Sequence, residues 1–85
     1  MYEVYLERSA ENDLKRLPTS TLDRIVHQIK TLAENPRPLG CRKITGSKND
    51  WRIRIGDYRV LYEVNDRAKA VMVMRVRHRR EAYRR

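Results

Sequence analysis

The run Trp51-Arg-Ile-Arg-Ile-Gly-Asp-Tyr-Arg-Val-Leu-Tyr-Glu-Val64 constrains this chain more than any other stretch. Its apolar residues recur with period two, Trp51, Ile53 and Ile55 alternating with Arg52 and Arg54. Successive side chains of a strand point to opposite faces, so this is the pattern of a strand with one face buried. Gly56-Asp57 is turn chemistry, and the return run from Tyr58 to Val64 completes a β-hairpin. A wet strand face is commonly Thr, Ser, Glu or Lys. Here it is guanidinium at i and i+2, with Arg59 on the neighbouring strand. The hairpin therefore predicts a sheet with one apolar face and one cationic face.

The rest of the chain must supply the cover for that apolar face. Eighty-five residues make one domain, 1–85, around a single thin core. Tyr2, Val4 and Leu6 alternate with Glu3 and Tyr5 as a first strand. Ser9 is placed to cap a short helix through Leu17, with Ala10, Leu14 and Leu17 on one side. Pro18 interrupts it, lacking the amide hydrogen that a continuing helix needs. A second helix begins at Thr19-Ser20-Thr21, where Ser20 and Asp23 have the spacing of a capping box. Leu22, Ile25, Val26, Ile29, Leu32 and Ala33 then follow the 3.6 period. His27 falls on its polar side with no second ligand at i+4. Asn35-Pro36-Arg37-Pro38-Leu39-Gly40 stops the helix. Cys41 to Thr45 reads as a short strand and residues 46–50 as a turn. Beyond the hairpin, Asn65-Asp66-Arg67 is a turn, and Lys69 to Arg77 a last strand. Its plain alternation puts Met72, Met74 and Val76 on one face and Val71, Val73, Arg75 and Arg77 on the other. The tail from His78 has room for one helical turn.

The order β-α-α-β-β-β(-β) predicts an α+β fold. Two N-terminal helices pack on one face of a largely antiparallel four- to five-stranded sheet, and the other face is left open. Arg52 and Arg54 fall on the open side, and Glu63 shares the parity of Arg59.

Charge sharpens the expectation. The net charge is +9 and is unevenly spread. Residues 1–35 hold six acids and five bases, whereas residues 36–85 hold five acids and fifteen bases. Cation excess confined to the sheet and tail marks a polyanion partner. The single cysteine, Cys41, excludes an intrachain disulfide and suits a reducing cytoplasm; it reads as a small packed residue and not as a nucleophile. No apolar run reaches the length of a signal peptide or membrane span, so no membrane partner is expected. No ligand spacing suggests a metal, and no cofactor is expected.

The pattern of a Pro-broken helix pair, Trp51-Arg-Ile-Arg-Ile, Gly56-Asp-Tyr-Arg-Val-Leu-Tyr and the closing Val76-Arg-His-Arg-Arg-Glu-Ala-Tyr83 resembles the RelE/ParE superfamily of bacterial toxins. The RelE-type mRNA interferases are the branch it resembles most, across nearly the whole chain. The resemblance implies a type II toxin that enters the ribosomal A site and cuts mRNA there. The 2′-OH attacks the adjacent phosphate, without a metal. It places RNA-binding cations at Arg52 and Arg54 and the hairpin's catalytic arginine at Arg59. The C-terminal catalytic arginine falls most naturally on Arg79, with Arg77, otherwise an RNA-binding cation, as the alternative, and the closing tyrosine on Tyr83. The branch commonly has lysines where this chain has Arg52 and Arg54, and arginine cannot serve as a base. The base is His78, Glu63 or neither. The resemblance also implies a cognate RelB-like antitoxin with an acidic segment, the ribosome and mRNA as partners, and operator DNA reached only through the antitoxin. Two other readings stay open: a ParE-type inhibitor of DNA gyrase on the same fold, and a non-catalytic nucleic-acid-binding module.

Overall fold

The computed structural model describes residues 1–82. In chain order the elements are β1 (Glu3–Leu6), α1 (Arg8–Lys15), α2 (Thr19–Thr31), β2 (Arg42–Lys43), β3 (Asp50–Ile55), β4 (Tyr58–Asn65), β5 (Ala70–His78) and α3 (Arg79–Ala82). The strands form one sheet in the order β1-β5-β4-β3-β2. Every neighbouring pair is antiparallel except β1 with β5. This is the two-helix, largely antiparallel α+β arrangement that the patterning predicts.

The hairpin alternation holds. Ile53 and Ile55 are buried while Arg52 and Arg54 are exposed. Ala10 and Leu14 of α1, and Ile25 and Ile29 of α2, close over Val60, Tyr62, Val64, Val71, Val73 and Val76. Each such branched side chain contributes about 1.5–3 kcal/mol when taken from water. Gly56 has φ +61° and is the one residue of the two-residue β3–β4 turn with positive φ, the pattern of a type II′ turn. Tyr62 is fully buried and its hydroxyl donates to the Pro36 carbonyl at 2.7 Å, seating the proline loop on the sheet. At the same end Arg37 binds Asp66 through both guanidinium nitrogens, at 2.8 and 3.2 Å, and Tyr2 donates to that carboxylate at 2.6 Å. Those partners, Arg37 foremost, hold the Asp66 carboxyl down at about 2.

Four local expectations are corrected. First, β5 does not alternate without a break. Leu61 pairs with Arg75 but Tyr62 pairs with Val73, so Met74 is the extra residue of a β-bulge. The bulge reverses parity. Val71, Val73 and Val76 all face the core, Arg75 and Arg77 face the open side, and Met72 and Met74 are only half buried. Secondly, Ser9 does not cap α1, which begins at Arg8. Its hydroxyl instead donates to the Met74 carbonyl at 2.8 Å. The reason lies in the sheet: β1 ends at Leu6, opposite Val73, so β5 has no strand neighbour on that side beyond the bulge. Side chains of α1 satisfy the exposed edge, and the Val76 amide donates to Asp13 Oδ2 at 2.9 Å. Thirdly, the Ser20–Asp23 capping box does not form. Pro18 enters at ψ 150°, its carbonyl accepts from the Leu22 amide at 2.8 Å, and Ser20 is already inside the first turn. Fourthly, the strand expected over 41–45 is confined to Arg42 and Lys43. Among the described residues no helix is long and apolar enough to cross a membrane.

Candidate active site

Residues directly opposite one another across a sheet share a face. The register therefore sorts the arginines. Arg54 stands opposite Arg59, and Arg59 opposite Arg77. One step along, Arg42 stands opposite Arg52, Arg52 opposite Leu61, and Leu61 opposite Arg75. Adjacent strands lie about 4.8 Å apart, so the Arg54–Arg59–Arg77 row spans roughly 10 Å of backbone. All of these residues lie on the face that neither α1 nor α2 covers.

Within the row, exposure is graded. Arg59 is only 8% exposed although it lies on the open face. Arg54 turns along the hairpin, its Nε donating to the Gly56 carbonyl at 3.2 Å. Gly40, Arg42, Arg52, Arg54 and Arg59 line a hollow of about 330 Å³. Arg75 reaches over the free edge of β5 to Asp13, 2.9 Å away, so its charge is matched. Burial alone would raise the Asp13 carboxyl. Hydrogen bonds from Arg75 and the Val76 amide, with the charges of Arg75 and Arg77, bring it below the ordinary carboxylate value. Four of the five residues lining the 330 Å³ hollow are arginines, so its surface is cationic and suited to an anion.

The remaining candidates are placed differently. His78 is in register with Tyr58, so it lies on the helix side of the sheet, opposite to the arginine row. Its ring meets Tyr58 edge to face, with centroids 5.2 Å apart. Glu63 is on the open face but four residues along β4 from Arg59, roughly 13 Å away by strand rise. It stands across from Asp50 and Met72, with no arginine directly opposite it. Neither proton-accepting candidate is brought beside Arg59. Arg79 opens α3, and its amide donates to the Asp57 carbonyl at 2.6 Å. Its guanidinium is 4.0 Å from the Asp57 carboxylate and more than half exposed. Of the two C-terminal arginines it is Arg77, not Arg79, that stands opposite Arg59. Tyr83 lies outside the described residues. Arg42 is a further candidate on this face that sequence reading missed. Its strand has two residues, too few to show alternation, and only the pairing with Arg52 reveals its face.

Comparison with known proteins gives this arrangement a family. Residues 4–83 match the model of the ParE toxin of the type II toxin–antitoxin system, parDE. Toxin RelG of Mycobacterium tuberculosis is 33% identical over 88 residues, covering 99% of this chain and 98% of that protein. The archaeal RelE–RelB complex of Pyrococcus horikoshii superposes with a TM-score of 0.82 at 28% identity, over 92% of this chain and 94% of the other. The toxin–antitoxin complex RelBE2 of M. tuberculosis gives 0.81 at 28% identity, over 91% and 96%. A small α+β domain with a cationic sheet face and these likenesses is a toxin of the type II toxin–antitoxin class. The chain belongs to the ParE toxin family within the RelE/ParE superfamily, and its similarity runs to toxins named RelE and RelG.

Proposed function

We propose that this protein is a ribosome-dependent, metal-independent endoribonuclease that cuts mRNA in the A site by 2′-OH attack on the adjacent phosphate. The single observation that carries the reading is the register bringing Arg54, Arg59 and Arg77 into one row on the open face. A phosphorane-like transition state gathers negative charge, and guanidinium donors fixed by a sheet stabilise that charge without reorganising. Arg59, nearly out of water, is the central donor, with Arg77 beside it. Arg52, Arg54 and Arg42 hold the neighbouring phosphates. Tyr83 stacks on or orients a splayed base, and Arg79 acts from the end of the row. With His78 across the sheet and Glu63 far along the strand, the rate is assigned to charge stabilisation and positioning, with no side chain in the row acting as base.

Such an activity requires restraint. The two superposed relatives are toxin–antitoxin complexes, and we assign this chain a cognate partner whose acidic segment covers the arginine face. Operator DNA would be reached only through that partner, and the working compartment is the cytoplasm. A second reading is favoured by the ParE family model and by arginine at positions 52 and 54: an inhibitory binder of DNA gyrase with no nuclease activity. Purified protein added to a bacterial translation extract separates them. The nuclease reading predicts new message ends, mapped by primer extension, only where ribosomes are engaged, with naked RNA left whole. Intact messages together with blocked supercoiling by gyrase would transfer the chain to the second reading.

A further inference from the structure

The free edge of β5 leaves a second concavity beside the arginine row. β1 stops opposite Val73, α1 ends at Lys15, and the gap between them along β5 is a hollow of about 550 Å³. Arg16, Leu17, Tyr58, Arg77, His78 and Arg80 line it. Its acid, Asp13, is already engaged by Arg75 and by the Val76 amide, so the excess charge is cationic. Its aromatic surface is the edge-to-face pair of Tyr58 and His78, both half-buried. His78 Nδ1 accepts the Arg80 amide at 3.2 Å, which in the neutral ring leaves Nε2 as the donor. Cations around an aromatic floor are what a nucleotide needs: a π-face for its base and guanidinium for its phosphate. Arg77 joins the two places, since it stands opposite Arg59 on the open face and also lines this hollow.

We propose that this hollow is a nucleotide subsite. A nucleotide flanking the scissile phosphate passes round the end of β5 and lodges its base against Tyr58 and His78, with its phosphate met by Arg16 and Arg80. The assignment rests on the nuclease reading and gives it a place where base preference is set. It also gives His78 a role that its position across the sheet allows, that of recognising a base.

Trinucleotides of 2′-deoxyribose test it, because without a 2′-OH they bind but cannot be cleaved. Ring resonances of Tyr58 and His78 are followed by NMR as each trinucleotide is added, with inorganic phosphate as the control probe. Saturable upfield movement with at least one trinucleotide sequence, and none with phosphate, is expected. Arg16→Glu, an exposed change, should weaken that binding by about tenfold or more, and His78→Ala should flatten the preference among sequences. Rings that stay still while the Arg59 side-chain signals move would overturn the subsite and leave the arginine row standing. Equal movement with phosphate would reduce it to an anion site and overturn it. Signals that move nowhere, from a protein that also leaves messages whole in the translation extract, would remove the nuclease reading and the subsite with it.

Discussion

Asp13 is where a single side chain does most to hold the site's framework. Its carboxylate accepts from Arg75 Nε at 2.9 Å and from the Val76 amide at 2.9 Å, closing the edge that β1 leaves bare. Asp13→Ala would strand the Val76 amide and release Arg75, at a cost of about 1–3 kcal/mol for the unsatisfied group. The folded-state pKa is lowered, so the stability it brings is fully present above the unfolded value near 3.9. That stability is lost as pH falls through the lower folded value. Thermal melts should therefore show the gap between parent and Asp13→Ala constant from pH 7 to about 5 and narrowing toward pH 2. A gap independent of pH would mean that packing, and not the charge, is what Asp13 supplies. At Arg59 the balance is the reverse. Its guanidinium, 8% exposed, stands in one row with Arg54 and Arg77, and the value proposed for it is to the reaction.

At the scale of elements, the bulge at Met74 decides which way the cations point. Without it, the two-residue period would carry Arg75 and Arg77 to the same face as Val71 and Val73, into the core. Deleting Met74 should therefore abolish cooperative unfolding and near-ultraviolet dichroism, whereas Met74→Ala, which keeps the residue count, should stay folded with the arginine face intact. A deletion variant that folds and melts like the parent would show that the bulge can migrate. The same bulge marks how far the sequence could be read. Hairpin β3–β4 was legible because alternation, turn chemistry and Gly56 agree, and α2 because its apolar residues keep helical period over three turns. The open cationic face followed from the hairpin alone. A bulge leaves no local signature in Val-Met-Val-Met-Arg, so the face of Arg75 and Arg77 needed the pairing with β4. The Ser9 cap failed for a related reason: Ser9 is spent on a sheet edge whose exposure depends on where β1 ends, sixty-odd residues away from β5 in sequence. Arg42 was hidden by the brevity of β2.

For the whole molecule, the fold separates charge by face. The helices, with acids and bases nearly balanced, cover one side of the sheet, and arginines from four strands occupy the other. Like charges at strand spacing repel one another, so the crowding itself works against the fold. Under the proposed function the segregation serves a polyanionic partner, the message on the ribosome. Single-turnover cleavage of mRNA on programmed ribosomes, for the parent beside Arg59→Ala, Arg77→Ala and Arg79→Ala, tests this most directly. The account predicts losses of roughly 10²–10³-fold for Arg59→Ala and Arg77→Ala, a smaller loss for Arg79→Ala, and unchanged melting temperatures. Cleavage at the parental rate by Arg59→Ala, or a collapse confined to Arg79→Ala, would contradict it.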